Sequence, residues 1–185
     1  MKNFSLIQKL RNRIKIDDSS VVELDKNIKL VSSTISIKGK NNTLIIEDGT
    51  VIRNTTIEII GTNCIIHIGK NCMIGDNSYL VAKEEGIKLI IGNDCALSRN
   101  VKVMTSDGHP IYQESIRINQ ADNIVIESDV WIADSVTILK GVILGKGSVV
   151  GINSLVTKSA PSNCIIAGNP AKIVKENITW KDKDV

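Results

Sequence analysis

The chain is expected to fold as an all-β solenoid, a parallel β-helix wound from six-residue repeats, and three observations lead there. Ile126, Ile132, Ile138, Leu144, Val150 and Val156 recur at a strict interval of six. Four places after each of the first five stands a small residue: Val130, Val136, Val142, Ser148 and Ser154. Isoleucine supplies 32 of the 185 residues while Phe, Tyr and Trp together supply 5, which suits thin β-branched walls better than a globular core built on aromatic rings.

A strand alternates its faces with period two, so a period of six requires flat walls joined by corners. Three such units make a coil in which the aliphatic position points inward, the small position fits a crowded corner, and Gly or a polar residue turns the chain. Stacked coils form parallel sheets and bury each aliphatic residue against the same position in the next coil.

In chain order, residues 3 to 16 space Phe4, Ile7, Leu10 and Ile14 three to four apart among Lys and Arg, predicting a short amphipathic helix over the first coil. Residues 1–20 therefore read as a helical cap and 21–166 as the β-helix. From Val21 to Ile68 the repeat is ragged, punctuated by Gly39-Lys40-Asn41-Asn42, Asp48-Gly49 and Gly61-Thr62-Asn63, residues that tolerate left-handed corners. The frame at Ile46 and Ile52 puts Thr50 and Thr56 in small slots and points Ile57 outward. It resumes at Ile68, Ile74 and Leu80, and at Ile91, Leu97 and Val103.

Successive coils begin at Ile46, Ile68, Ile91 and Ile126, so insertions grow along the chain. One falls near Lys83 to Gly86, and the largest is a polar loop, 106–122, carrying His109; insertions in repeat folds project from one face and often carry function. After Cys164-Ile165-Ile166, residues 167–185 read as a terminal segment ending in a second capping helix built on Ile173, Val174 and Ile178, since a terminal coil needs its edge covered.

The formal charge of +3, with no basic run interleaved with aromatics, argues against nucleic acid. No stretch reaches the roughly 18 apolar residues of a membrane span, and charges interrupt the start where a leader's apolar segment would lie; a cytoplasmic protein is expected. Cys64, Cys72, Cys95 and Cys164 show no CxxC spacing and read as reduced core residues rather than metal ligands or disulfides.

The segments NDCALSRNVKVMTSDGHPI, RIN, VWIADSVTILKGVILGKGSVVGINSLVTK and AGNPAKIVK, ending in ITW, cover Ile91 to Trp180. They resemble the hexapeptide-repeat acyltransferases, nearest to the sugar O-acetyltransferases acting on sialic acid and on capsule or lipopolysaccharide sugars. The xenobiotic and the maltose or galactoside acetyltransferases are more distant. The resemblance implies a left-handed β-helix, which spacing does not choose, acetyl-CoA as co-substrate, a carbohydrate acceptor, no metal, and a homotrimer with active sites between subunits.

Chemistry gives His109 its part: moving acetyl from a thioester to a hydroxyl needs a base at neutral pH, and an imidazole suits it. His67, inside a coil, has no loop to present it. Asp107 or Glu114 would orient the imidazole, with a turn-forming role for Asp107 before Gly108 equally open. Trp131 lies five after Ile126 and points outward; by the resemblance it works beside the histidine. The resemblance also runs the donor's pantetheine arm past Ala133 and Gly151, where a backbone amide would meet the oxyanion. It makes Gly168, Asn169, Pro170 and Lys172 part of the terminal CoA segment, with Lys172 and Lys158 to meet phosphates as point charges.

The runner-up on this fold is N-acetylation of an amino sugar, or acetylation of an antibiotic. A zinc enzyme of the carbonic anhydrase type would need three histidines, and the chain has two. A β-helix that only binds, such as a scaffold or an ice-binding surface, would not need a histidine on an inserted loop.

Overall fold

The computed structural model describes residues 4–181 and is a parallel β-helix with three walls. The first wall runs from Arg13–Ile16 through Thr34–Lys40, Thr56–Thr62, Tyr79–Glu85, Lys102–Met104 and Thr137–Leu139 to Leu155–Val156. The second stacks Val21–Leu24 up to Ile143–Leu144, and the third Lys29–Val31 up to Cys164–Gly168. Each coil visits the walls in that order, so every wall is made of strands from successive coils.

In-register pairing turns the repeat into inner columns. On the first wall Ile35, Ile57, Leu80, Val103, Ile138 and Val156 lie opposite one another in turn, and all are fully buried. On the third wall Ile52, Ile74, Leu97, Ile132 and Val150 do the same. The small slots are buried too: Thr50, Cys72, Cys95, Val130 and Ser148 at one corner, Ser78, Val101, Val136 and Ser154 at another. Left-handed corner residues lead into them, including Asn54, Asn77, Asn100 and Asn153, where Asn is the most tolerant residue after Gly.

All four cysteines are free and buried. The Cys72 thiol donates to Gly92 O at 3.0 Å and Cys95 to Glu127 O at 3.1 Å, much as the Thr50 hydroxyl donates to Gly69 O at 2.7 Å. The slot accepts small side chains of either kind, Thr50, Cys72 and Cys95 donating to the next coil's carbonyl and Val130 filling the same corner with no donor.

Four expectations are corrected. The N-terminal helix is short, Leu6–Arg11, and Ile14 belongs to a strand; only Phe4 plugs the core, while Ile7 and Leu10 stay exposed. Asn12 ends the helix and seals the first coil, donating to Leu30 O at 3.0 Å and accepting from Ser33 N at 2.8 Å. In the ragged region the slot holds Thr55, not Thr56, and Ile57 points inward, because that corner closes one residue sooner. The excess residues near Lys83 form no projecting loop: Thr34–Lys40, Thr56–Thr62 and Tyr79–Glu85 are seven-residue strands paired in register to their ends.

The fourth concerns the C-terminus. Ala171–Glu176 is a strand, not a helix, and pairs antiparallel with Cys164–Gly168. A helix would leave the last third-wall strand with open amides and carbonyls, whereas a return strand pairs them. The chain then runs back down the corner between the second and third walls, with Ile178 N donating to Asn163 O at 2.9 Å; residues 182–185 lie outside those described. No helix among the described residues is long and apolar enough to cross a membrane.

Candidate active site

The segment 105–123 leaves the solenoid at the corner between the first and second walls and returns at Ile124–Ile126. Its tip is an antiparallel hairpin, Tyr112–Gln113 against Ile116–Arg117. Glu114 and Ser115 are the two turn residues, both with positive φ, the arrangement a two-residue hairpin turn requires. Glu114 is therefore placed by turn geometry and stands exposed.

Asn119, 7% exposed, braces the loop from within. Its amide nitrogen donates to His109 O at 2.8 Å and to Asp107 Oδ2 at 2.9 Å, and its oxygen accepts from Ile111 N at 2.6 Å. Lys140, on the next coil, donates to the same Asp107 oxygen at 2.6 Å. Lys140 first, then Asn119, holds the Asp107 carboxyl below its ordinary value. Asp107 thus directs its carboxylate to Asn119 and Lys140 rather than to the imidazole, and is linked to His109 only through Asn119, which also holds the His109 carbonyl. The His109 ring is exposed and makes no hydrogen bond among the described residues.

A separate groove of about 450 Å³ lies on the third wall beside the corner leading to the first; Ser98, Trp131, Ala133, Asp134, Gly151 and Ile152 are among its lining residues. Three successive coils build it, with Ser98 N, Ala133 N and Gly151 N donating up the ladder to Ile132 O, Val150 O and Ile166 O at 2.8, 3.0 and 2.8 Å. The Ala133 and Gly151 amides are therefore engaged, which rules out the expected oxyanion role for them. Gly151 is small for a reason: a Cβ there would come within 2.9 Å of the Ala167 methyl.

The terminal segment joins the groove through Ser154, whose hydroxyl donates to Gly151 O at 2.6 Å and accepts from Gly168 N at 3.0 Å. Asn169 and Pro170, linked by a cis peptide, turn the chain into Ala171–Glu176, where Lys172 stands opposite Ala167 and exposed. Lys158 lies elsewhere, at the corner from which the histidine loop departs, so within one chain it does not reach the groove.

Trp131 points outward as expected, 38% exposed, its indole nitrogen 3.3 Å from the Ser98 hydroxyl. Trp180 packs on it with ring centroids 6.0 Å apart at 41°, held by an indole hydrogen bond to Asp129 O at 2.5 Å. His67 faces outward on the second wall and meets Glu47 at 2.7 Å. No cluster of three His, Cys, Asp or Glu side chains among the described residues is placed to hold a metal.

Trp131, Ala133, Gly151 and Gly168 are thus brought together, whereas His109 stands at a different corner, across the first wall. Ser98, Asn119, Lys140 and Trp180 were not singled out from sequence. Glu84 was not singled out either, although Gly39 and Gly61 recur at the position that Glu84 takes in the next coil.

No family model matches the chain. It is 39% identical over 171 residues to the polysialic acid O-acetyltransferase of Neisseria meningitidis, covering 91% of this chain and 78% of that protein. To the polysialic acid O-acetyltransferase of Escherichia coli O1:K1 it is 40% identical over 119 residues, 63% of this chain and only 38% of that longer protein. The solved structure of the polysialic acid O-acetyltransferase OatWY superposes with a TM-score of 0.81 at 35% identity, covering 94% of this chain and 89% of that one.

Proposed function

Because the chain belongs to the hexapeptide-repeat acetyltransferases, the left-handed β-helix family that includes the polysialic acid O-acetyltransferases, we propose that it transfers acetyl from acetyl-CoA to a sugar hydroxyl. The acceptor is a surface polysaccharide or its precursor, of the sialic acid class, and the enzyme works in the cytoplasm, where acetyl-CoA is available. The observation that supports this reading best is the pairing of an exposed histidine on a braced loop with a largely apolar groove lined by Trp131.

In this reading the pantetheine arm lies in the groove past Trp131, Ala133 and Gly151, and Gly168 to Pro170 with Lys172 receive its far end. His109 takes the hydroxyl proton as the acceptor oxygen attacks the thioester carbonyl. The proton passes to the departing sulfur, so the products are an acetyl ester and free CoA thiol. The Ser98 hydroxyl, which accepts from Trp131 and keeps its own proton, replaces the engaged ladder amides as oxyanion donor.

His109 and the groove occupy different corners, which favours a homotrimer in which one subunit's loop meets its neighbour's groove, with Lys158 beside that loop. Light scattering should give a mass of three chains; a monomer that turns over acetyl-CoA would sink the shared site.

Thiol release from acetyl-CoA should be stimulated by sialic acid polymers or their monomers above nucleotide sugars, simple glycosides, chloramphenicol and streptogramins. Stimulation by an antibiotic alone would overturn the acceptor class. Failure of every acceptor, together with no CoA binding, would leave the family's fold without its activity.

A further inference from the structure

The first wall's long strands end on a column of three residues paired in register: Gly39 opposite Gly61, and Gly61 opposite Glu84. All three have positive φ, 111°, 147° and 88°, a region L side chains rarely adopt. The lower two positions demand glycine, since a Cβ on Gly39 would lie 1.9 Å from Gly61 O and one on Gly61 1.7 Å from Glu84 O. At the third the chain carries a glutamate instead, at a cost in backbone strain. Non-glycine residues held there by their surroundings concentrate at functional sites.

The surroundings give the reason. In the next coil Lys102–Met104 pairs only as far as Val81 opposite Met104, and the chain then departs as the histidine loop, so the space over Glu84 opens onto that loop. The Glu84 carboxylate accepts from Ser106 Oγ at 3.2 Å and Ala121 N at 3.4 Å, and it pairs with Arg117. Those donors lie at the start, in the return arm and at the end of the loop. Arg117 donates onward to Asn119 O at 3.3 Å, and Asn119 holds the His109 carbonyl. Arg117 foremost, aided by the Ala121 and Ser106 donors, keeps the carboxyl below its ordinary value. One side chain from the rigid wall thus ties the loop together three hydrogen-bonded links from the base, through Arg117, Asn119 and the His109 carbonyl.

We propose that Glu84 is a positioning residue for His109, its strained backbone retained because glycine, which the column otherwise requires, would leave the loop without its anchor. This rests on the reading of His109 as the base. Glu84 touches neither acetyl donor nor acceptor and acts only through Arg117 and Asn119.

The variants Glu84→Gly and Glu84→Gln separate anchoring from folding. Glycine relieves the backbone, so Glu84→Gly should melt no lower than the parent. Its turnover should nevertheless fall about 10- to 100-fold, the scale on which a misplaced catalytic group acts, with KM for acetyl-CoA within about 2-fold because the groove is untouched. Glu84→Gln keeps an acceptor and should lose less. Hydrogen exchange should quicken across 106–122 in Glu84→Gly while the coil amides stay protected.

Turnover of Glu84→Gly within about 2-fold of the parent, or an unchanged loop exchange rate, overturns the proposal. A melting temperature that drops along with activity does so too, since Glu84 would then be a structural residue. His109→Ala is run alongside: if it retains turnover the base assignment fails, while loop exchange still reports whether Glu84 anchors the loop.

Discussion

Replacing His109 with alanine should lower turnover roughly 10²- to 10⁴-fold, the usual worth of a positioned general base, and leave CoA affinity nearly unchanged. The loop should survive the change. Its backbone at His109 is held through the carbonyl by Asn119, and the imidazole makes no hydrogen bond among the described residues, so truncation removes chemistry without removing an anchor. The groove lies on the third wall, away from the corner that carries the loop, which is why binding and turnover should separate. Steady-state thiol release gives the first quantity, and calorimetric titration with CoA the second. A variant that turns over at the parent rate would end the assignment; equal losses in both would place His109 in donor binding instead.

The second large effect is on the fold. Gly61→Ala should destabilise the protein by about 2–6 kcal/mol, combining roughly 1–3 for an L residue forced into a rare backbone region with roughly 1–3 for overpacking. The added methyl would meet Glu84 O at 1.7 Å, and a carbonyl in a paired strand cannot swing aside as the end of a side chain does. Gly86→Ala is the matched control: its φ is also positive, at 68°, but nothing lies within 4 Å of the new Cβ. It should cost about 1 kcal/mol. Urea titrations of the two variants would show the difference, and similar losses would mean that strands in the column part without cost.

The solenoid was legible because its information is local and repeated. Ile126 through Val156 name their own inner column by spacing, and Val130, Val136, Val142, Ser148 and Ser154 all proved to be buried slots. Where spacing slips by a residue, as between Ile52 and Ile57, sequence carries no mark of which corner shortened, and Thr56 was placed one position off. The C-terminal segment failed for a related reason. Ile173 and Val174 suit a helix or a strand, and an unpaired third-wall edge decided for the strand.

The site divides the same way. The placement of His109 on an inserted loop could be read from its motif and the break in the repeat, and the outward direction of Trp131 from its phase. Asp107 could not, because which partner takes its carboxylate depends on Lys140, 33 residues away in sequence and brought over by the next coil. The amides of Ala133 and Gly151 likewise became unavailable only once Val150 O and Ile166 O were stacked against them.

By itself, then, the sequence determined the coil, its inner columns, its small slots and the presence of a histidine on an inserted loop, since each depends on residues within one repeat or one turn. The tertiary structure alone decided which corner each candidate residue occupies: His109 apart from the groove, Lys158 near the loop, Glu84 under it. The physical reason is that corner position is set by the summed length of every preceding coil, and hydrogen-bond partners by which coils those lengths bring into register.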